Sequence, residues 1–396
     1  MSSQIESPGP LACQREAFSL PADRHYLNCA YQSPLARVVE DAGIQGIRMK
    51  RDPSAILPHH FFDDADEVRR RFARLVGVGD PQRIAILPSV SYGVAIAAAN
   101  LPVSRGQNIV LTHEQFPGNV YGWTSLAERR RAEIRTVGPG DPEPGISRAQ
   151  GWSTRVLEAI DEATAVVTLG HVHWTDGSLF DLAEIGARTR EVGAALVIDG
   201  TQSVGALPFD VQDLKPDALI VAGYKWLLGP YSIAVGYFGS RFDHGVPLEE
   251  GWIARGGSED FQGLVDYRDD YQPGAVRYDV GERSNFILLP MLREALGLLL
   301  EWRPERIQDY CARLMSEAVP ALTEMGYSVP SQGPRAHHIL GVRMPQAVDL
   351  DRVSRALGEA GVFASLRGSA LRVSPNLYNT PEDVGALVDA LKAAKV

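Results

Sequence analysis

ALVIDGTQSVG (residues 195–205) and, after a short connection, ALIVAGYKWLLGP (residues 218–230) are the stretches that decide the fold. Each opens with an unbroken apolar run of strand length; the first ends on Asp199 and the second leads straight into Lys225. Such runs belong in a parallel sheet covered on both faces, where the carboxyl ends of the strands face the ligand crevice. A carboxylate at that place can pair with a buried cation such as a protonated ring nitrogen, or it can cap the helix that follows. An ammonium at the end of a buried strand needs a partner, must become an imine, or must reach past the sheet edge to water. The other lysines offer nothing comparable: Lys50 lies in a charged stretch, Lys215 in an LKPD turn, and Lys392 and Lys395 near the C-terminus.

Outward from these two runs the same alternation continues. RIAIL, NIVLT, EIRTV, AVVTLGHV and IAVGYF read as further strands between about residues 83 and 238, with helical spacing over 91–100, 120–131 and 182–192. This is an α/β pattern: a large domain with a mainly parallel sheet flanked by helices. Residues 239–282 show no period, and so long a loop is usually functional or misread. Helices are expected over 288–302 and 304–325, then a strand in HHILGVRM, a helix over 350–360, a strand in ALRVS and a last helix over 381–395 capped by Thr380. That tail reads as a smaller α+β domain. The expected division is an N-terminal segment at 1–30, a large domain at 31–282 and a C-terminal domain at 283–396.

Composition narrows the function. The formal charge of -10 and a pI near 5.5 argue against nucleic acid or an anionic membrane surface as the main partner. Cys13, Cys29 and Cys311 are odd in number and far apart, which suggests neither a disulfide framework nor a zinc site and fits a reducing cytoplasm. Residues 1–10 have no apolar core of an export signal, and no run approaches membrane-spanning length. Neither GxGxxG nor GxxxxGK[ST] occurs, so nicotinamide and nucleotide chemistry are disfavoured. His171 and His173 could share a strand face and ligate a metal, but no third ligand matches them in sequence, and no metal is expected.

Two further segments carry possible chemistry. RIAILPSVSYGVAIAAANL (83–101) is a strand, a turn and a helix whose first N–H groups, near Val90 and Ser91, suit a phosphate; Ser91 could add its hydroxyl or merely cap the helix. In LRVSPNLYNTPEDV (371–384), Arg372 sits between apolar neighbours and offers two parallel donors to a carboxylate, unless it is spent on a surface ion pair. An imine-forming lysine and a carboxylate facing a pyridinium are the two protein groups that pyridoxal 5'-phosphate (PLP) chemistry demands.

Taken together, DGTQ, GYKWLLGP and LRVSPNLYN resemble the class V aminotransferase group of PLP fold-type I enzymes, which includes cysteine desulfurases and kynureninases. The resemblance runs from about Tyr26 to the C-terminus. It implies Lys225 as the catalytic Schiff-base lysine, Asp199 as partner of the pyridine nitrogen and Gln202 as partner of the ring 3-oxygen. It also implies Val90 and Ser91 at the phosphate and Arg372 at the substrate α-carboxylate, with Asn28 as a second substrate-binding residue. HEQFPGNVYGW (113–123) resembles a kynureninase FPxDxY segment, which puts Phe116 over the cofactor ring; Tyr224 would contact the phosphate. Gly251 with Trp252 and Ser284 with Asn285 resemble segments that a second subunit contributes, so a homodimer with shared sites is implied.

The departures matter too. GVFASLRGSALRVSP (361–375) lacks the cysteine that desulfurases carry before the arginine, so persulfide chemistry on the protein is not expected. HVHW (171–174) puts Trp174 where an asparagine often stands beside the cofactor, Ala222 replaces a frequent phosphate-binding serine, and Asn376 a frequent histidine. The expected function is cleavage of an amino-acid side chain by chemistry at Cα, of the kynureninase kind. Amine transfer to a keto acid is the second reading, and a non-catalytic ligand-binding module is the rival from another class. No basic helix-turn-helix segment accompanies that rival here.

Overall fold

The computed structural model describes residues 9–141, 143–330, 334–345, 348–367 and 370–395, so most of the 1–10 segment lies outside it. The strands are β1 (His25–Tyr26), β2 (Ile84–Leu87), β3 (Asn108–Thr112), β4 (Glu133–Val137), β5 (Thr164–Gly170), β6 (Ala195–Asp199), β7 (Ala218–Ala222), β8 (Ala234–Phe238), β9 (Leu340–Arg343), β10 (Val362–Phe363), β11 (Ser365–Arg367) and β12 (Ala370–Val373). Seven of them form one sheet in the order β2-β8-β7-β6-β5-β3-β4. The pairs from β7 to β4 run parallel, and β8 alone runs antiparallel to both of its neighbours. All seven lie where the apolar runs predict them. Except in the edge strand β4, whose residues are half-buried or exposed, their interior residues are mostly buried because helices cover both faces, which is why those runs are continuous and not alternating.

The helices are α1 (Arg37–Met49), α2 (Asp63–Leu75), α3 (Val90–Asn100), α4 (Tyr121–Arg130), α5 (Arg148–Glu158), α6 (Leu182–Glu191), the single turn α7 (Val211–Leu214), α8 (Leu288–Trp302), α9 (Pro304–Leu314), α10 (Ala318–Glu324), α11 (Leu350–Glu359) and α12 (Pro381–Ala393). The single helix expected over 304–325 is two, α9 and α10. Pro320 has no N–H to donate and its ring would strike the carbonyl of Ser316, so a helix cannot run through that turn. The aperiodic segment 239–282 holds four 3-10 turns, among them Trp252–Ala254 and Gly274–Tyr278. Near its end lies Asp279, a buried carboxylate that pairs with Arg69 of α2 and Arg283 and accepts the Ile86 N–H at 2.8 Å. Paired in this way the charge is tolerable in the core, and it fixes the loop to the sheet edge.

At the C-terminal end β11-β12-β9 form an antiparallel sheet. Residues of α10, α11 and α12 build a separate apolar core with it. The N-terminal segment joins this body: β1 pairs with β10, and Asn28 bridges to Ser374. Helix α8, in contrast, packs on α1 and α2 against the large sheet. The last helix opens as the sequence predicts, with the Asp383 carboxylate accepting the Thr380 N–H at 2.9 Å.

Among the described residues no helix is long and apolar enough to cross a membrane.

Candidate active site

The carboxyl ends of β5, β6 and β7 open into a cavity of about 280 Å3 lined by, among others, Ser91, Phe116, Asp199, Gln202, Tyr224 and Lys225. Gly205 helps to bring the two motifs together: at φ +103° its Cα abuts the carbonyl of Trp226, where a Cβ would sit 2.2 Å from that oxygen. Asp199 both caps and faces the cavity. One oxygen accepts the Thr201 N–H at 3.0 Å, capping a short 3-10 turn, while the cavity side of the carboxyl stays open. Burial raises its pKa above the ordinary carboxylate value, against the pull of Thr201 and Lys225.

Lys225 does not reach water. It is 5% exposed, and burial is the main cause that brings its pKa down from 10.5 to about 8, with Asp199 opposing and Arg372 and Arg367 adding to the fall. Among the described residues no carboxylate forms an ion pair with it. Its Nζ lies 5.0 Å from the ring centre of Phe116 and 5.5 Å from that of Tyr224. An amine held this way spends much of its time neutral near pH 8 and is therefore nucleophilic.

The far end of the cavity is the start of α3. Ser89, not Ser91, is the cap, its Oγ accepting the Tyr92 N–H at 3.2 Å. That leaves the Ser91 hydroxyl on the cavity wall, beside Val90. The N–H groups of Val90 and Ser91 have no backbone acceptor among the described residues, and with the helix dipole they favour an anion. Gln202 is fixed at both ends, its amide donating to the Ala30 carbonyl at 3.1 Å and its Oε1 accepting the Trp226 Nε1–H at 2.8 Å. Ala222 lines the wall without a hydroxyl, as its sequence position implies.

A second chamber of about 410 Å3 shares Phe116, Trp174, Tyr224, Tyr231 and Lys225 with the first and adds Tyr31, Arg367 and Arg372. Arg372 is 1% exposed and sits on β12 with no carboxylate partner among the described residues, so the ion-pair alternative does not describe it. It donates to the Trp174 carbonyl at 2.9 Å, and its Nε–H has no acceptor. Burial, then the neighbouring Arg367, brings its pKa down to about 9. Trp174 stands between the chambers, edge-on to Phe116 at 5.5 Å and held by the Glu114 carbonyl at 2.6 Å.

Other expected residues lie elsewhere. Trp252 and Asn285 line a separate cavity of about 630 Å3 with Ile47, Phe61 and Ile287, and do not reach Lys225 within this chain. Asn28 is absent from both chamber walls because its Oδ1 accepts the Ser365 hydroxyl at 2.8 Å, which ties β1 to β11. Asn376 bonds inward to Cys29 Sγ and the Leu377 N–H. Gly170, Val172 and Trp174 face the first cavity, so His171 and His173 point the other way, against Phe209 and Trp152. Burial lowers the pKa of His171 to about 4. Among the described residues no group of three or more His, Cys, Asp or Glu is placed to hold a metal. Gln115, Thr201, Ser232 and Arg367 also line the walls without a mark in the sequence, since none lies in a periodic run or ends a strand the sequence predicts.

A family model described as Aminotransferase class-V matches residues 55–387. The chain belongs to the class V aminotransferase family. It is 26% identical over 330 residues to an uncharacterized aminotransferase, YcbU, of Bacillus subtilis strain 168, covering 83% of each chain. It is also 26% identical over 346 residues to the isopenicillin N epimerase of Streptomyces clavuligerus, again covering 83% of each. Among solved structures, the cysteine desulfurase CsdA from Escherichia coli shares the fold with a TM-score of 0.81 at 19% identity, over 96% of this chain and 97% of that one. The fold is the one expected, an α/β domain with a mostly parallel sheet plus a small C-terminal sheet.

Membership makes this class V protein a PLP-dependent enzyme, and the first cavity fits that cofactor on its own chemistry. It offers anion donors at one end, a half-buried carboxylate with one open side, a flat aromatic wall, and an amine with lowered proton affinity.

Proposed function

We propose that this class V enzyme works on the bonds around Cα of an amino acid, with Lys225 as its covalent and proton-transferring residue. The observation that carries the reading is the place of Lys225: a buried amine without an ion-pair partner, shared by the walls of an anion-ready cavity and of a chamber that contains Arg372. When bound, PLP supplies an aldehyde for amines and a ring that draws electrons from Cα.

In this reading the α3 N-terminus and Ser91 bind the phosphate. Asp199 keeps a proton on the ring nitrogen, which its own buried charge favours. Phe116 and Trp174 confine the ring, Gln202 donates toward the 3-oxygen, and Tyr224 lies beside the phosphate end. Arg372 orients the substrate by its α-carboxylate so that the Cα–H faces Lys225 Nζ, which then removes or returns the proton. Loss of a side-chain group is the branch placed first, on the likeness of HEQFPGNVYGW and of Ser284 with Asn285 to kynureninase segments. Amine transfer to a keto acid is the second. Trp252 and Asn285 enter this scheme only from another copy of the chain, so a homodimer is part of it; the exposed Ile47, Trp252 and Ile287 around the third cavity support such a contact.

The test is borohydride trapping followed by mass mapping, together with a panel of amino acids. The expected result is one adduct, on Lys225, and release of a shortened amino or keto acid without an added amine acceptor. An adduct elsewhere or none would end the reading, and product formation only in the presence of a keto acid would move it to the second branch.

A further inference from the structure

The reading above uses one anion of the substrate, its α-carboxylate. The chamber that receives the substrate carries more positive charge than one carboxylate answers. In the antiparallel pair β11–β12, Ser365 stands opposite Arg372, and Arg367 stands opposite Ala370. Residues two apart on a strand share a face, as do residues directly opposed, so Ser365, Arg367 and Arg372 all lie on one face, with the two arginines diagonal neighbours. Both line the 410 Å3 chamber, and both guanidinium carbons lie 5.8 Å from the ring centre of Trp174.

Most arginines of this chain that approach the interior are paired: Arg69 and Arg283 with Asp279, Arg148 with Asp176. Arg367 and Arg372 have no carboxylate within 4 Å among the described residues; each spends one N–H on a carbonyl, Arg367 on its own neighbour Leu366. These two guanidinium groups line one chamber, and Asp199 sits on the wall of the other. Like charges held side by side cost free energy unless something negative comes between them. The phosphate does not serve, because the α3 end that suits it lies in the chamber that Arg367 does not line.

We propose that Arg367 is a specificity-determining residue that binds an anionic group at the end of the substrate's side chain. The substrate class is then α-amino acids whose side chain ends in an oxyanion, held by Arg372 at one end and Arg367 at the other. In this chain the segment that carries the thiol of desulfurases therefore presents a guanidinium. The proposal rests on the Lys225 reading, since it takes Arg372 as the α-carboxylate site.

The experiment titrates the PLP-loaded enzyme with non-reacting acids, read by the visible band of the bound cofactor and by calorimetry. The pairs are succinate against succinamate and glutarate against glutaramate, with 3-sulfopropanoate to tell a sulfonate from a carboxylate preference. The diacids are expected to bind roughly 10- to 100-fold more tightly than the mono-amides, as a charge-assisted hydrogen bond predicts. In Arg367→Ala that ratio should fall to about one, and Arg367→Lys should restore part of it. Turnover of glutamate against glutamine and of aspartate against asparagine should show the same ratios in kcat/KM.

Equal binding of diacid and mono-amide by the wild type, or an unchanged ratio in Arg367→Ala, overturns the proposal. If the visible band and the Lys225 adduct persist while the ratio is flat, only the second anion site fails. If the band itself is missing, the Lys225 reading fails, and the calorimetric ratio still decides on Arg367.

Discussion

The two chambers that meet at Lys225 are built in different ways. The one proposed for the cofactor is made from the ends of adjacent parallel strands and one helix start: Asp199 is held in the hydrogen-bond ladder of the large sheet, and Lys225 and Ser91 follow closely on strands of that sheet. The one proposed for the substrate gathers Tyr31 from the N-terminal segment, Trp174 from a loop after β5, and Arg367 and Arg372 from the small sheet. A strand end sets a side chain within the register of a sheet. A chamber closed by a second body can change its contents without disturbing the first. The chemistry shared by a family then belongs in the first chamber and the choice of substrate in the second.

Lys225→Ala is the strongest way to break that division. It should abolish the visible absorption of the loaded enzyme and lower turnover by roughly a thousandfold or more, because covalent and proton-transfer roles are lost together. The fold should survive, since the lysine forms no ion pair among the described residues. An enzyme that keeps its colour and activity would show that the chambers do not meet where we place them.

Arg372→Ala tests the other side. Substrate affinity should fall roughly 10- to 100-fold while cofactor affinity, measured by equilibrium dialysis, stays within about twofold of wild type. Equal loss of both would mean that the two chambers are one mechanical unit.

This contrast also explains what the sequence made legible. The strands of the large sheet stand where β-rich runs mark them, continuous and apolar in all but the edge strand β4, and Asp199, Lys225 and Ser91 reach the first cavity because each ends or follows such a run. Arg367 and Tyr31 carry no such mark: they reach the chamber because β1 pairs with β10 and Asn28 with Ser374, contacts between residues more than 330 positions apart. Asn28 was expected at the substrate and instead ties those segments together, a role visible only once Ser365 is beside it. Helices α1 and α2 went unread amid charged stretches, and Pro320 divided a helix that periodicity alone had joined.

A smaller effect sharpens the electrostatics of the junction. In the cofactor-free protein, Lys225 has a folded pKa of about 8 against 10.5 for an ordinary lysine. The unfolded chain therefore binds more protons between these values, so the apo-protein gains stability as pH rises through this window and bears the full cost below it. The same lowered value makes the amine available earlier. Capture of an aldehyde by the apo-protein should rise about tenfold from pH 7 to pH 9 and then level, following the neutral fraction of a group of pKa about 8. A rate that keeps climbing by about a decade per pH unit beyond pH 9 would show an ordinary, solvated lysine.

The smallest effect concerns how the cofactor chamber is braced from behind. The indole N–H of Trp226 can only donate, so the oxygen of Gln202 must face it, and the amide nitrogen must face Ala30 and the cavity. The indole ring in turn packs edge-on against His338 at 4.4 Å, whose Nε2 meets the Gln202 carbonyl at 2.8 Å and whose Nδ1 meets Gln308 at 2.6 Å. Burial brings the His338 pKa down to about 3, so at neutral pH this imidazole is uncharged, donating to the carbonyl through one nitrogen and accepting from Gln308 through the other. Trp226→Phe keeps an aromatic ring against His338 but leaves the Gln202 oxygen without its donor, a loss of about 1–3 kcal/mol at a buried site. The amide nitrogen still donates to Ala30, but with its oxygen no longer held the amide is free to tilt and carry its cavity-facing N–H out of place. Thermal unfolding should fall by a few degrees, cofactor affinity by a few-fold, and the visible band should shift while Lys225 still forms its adduct. Unchanged stability together with an unchanged spectrum would mean that the amide is held from the cavity side, and that the brace behind the first chamber has no part in setting its chemistry.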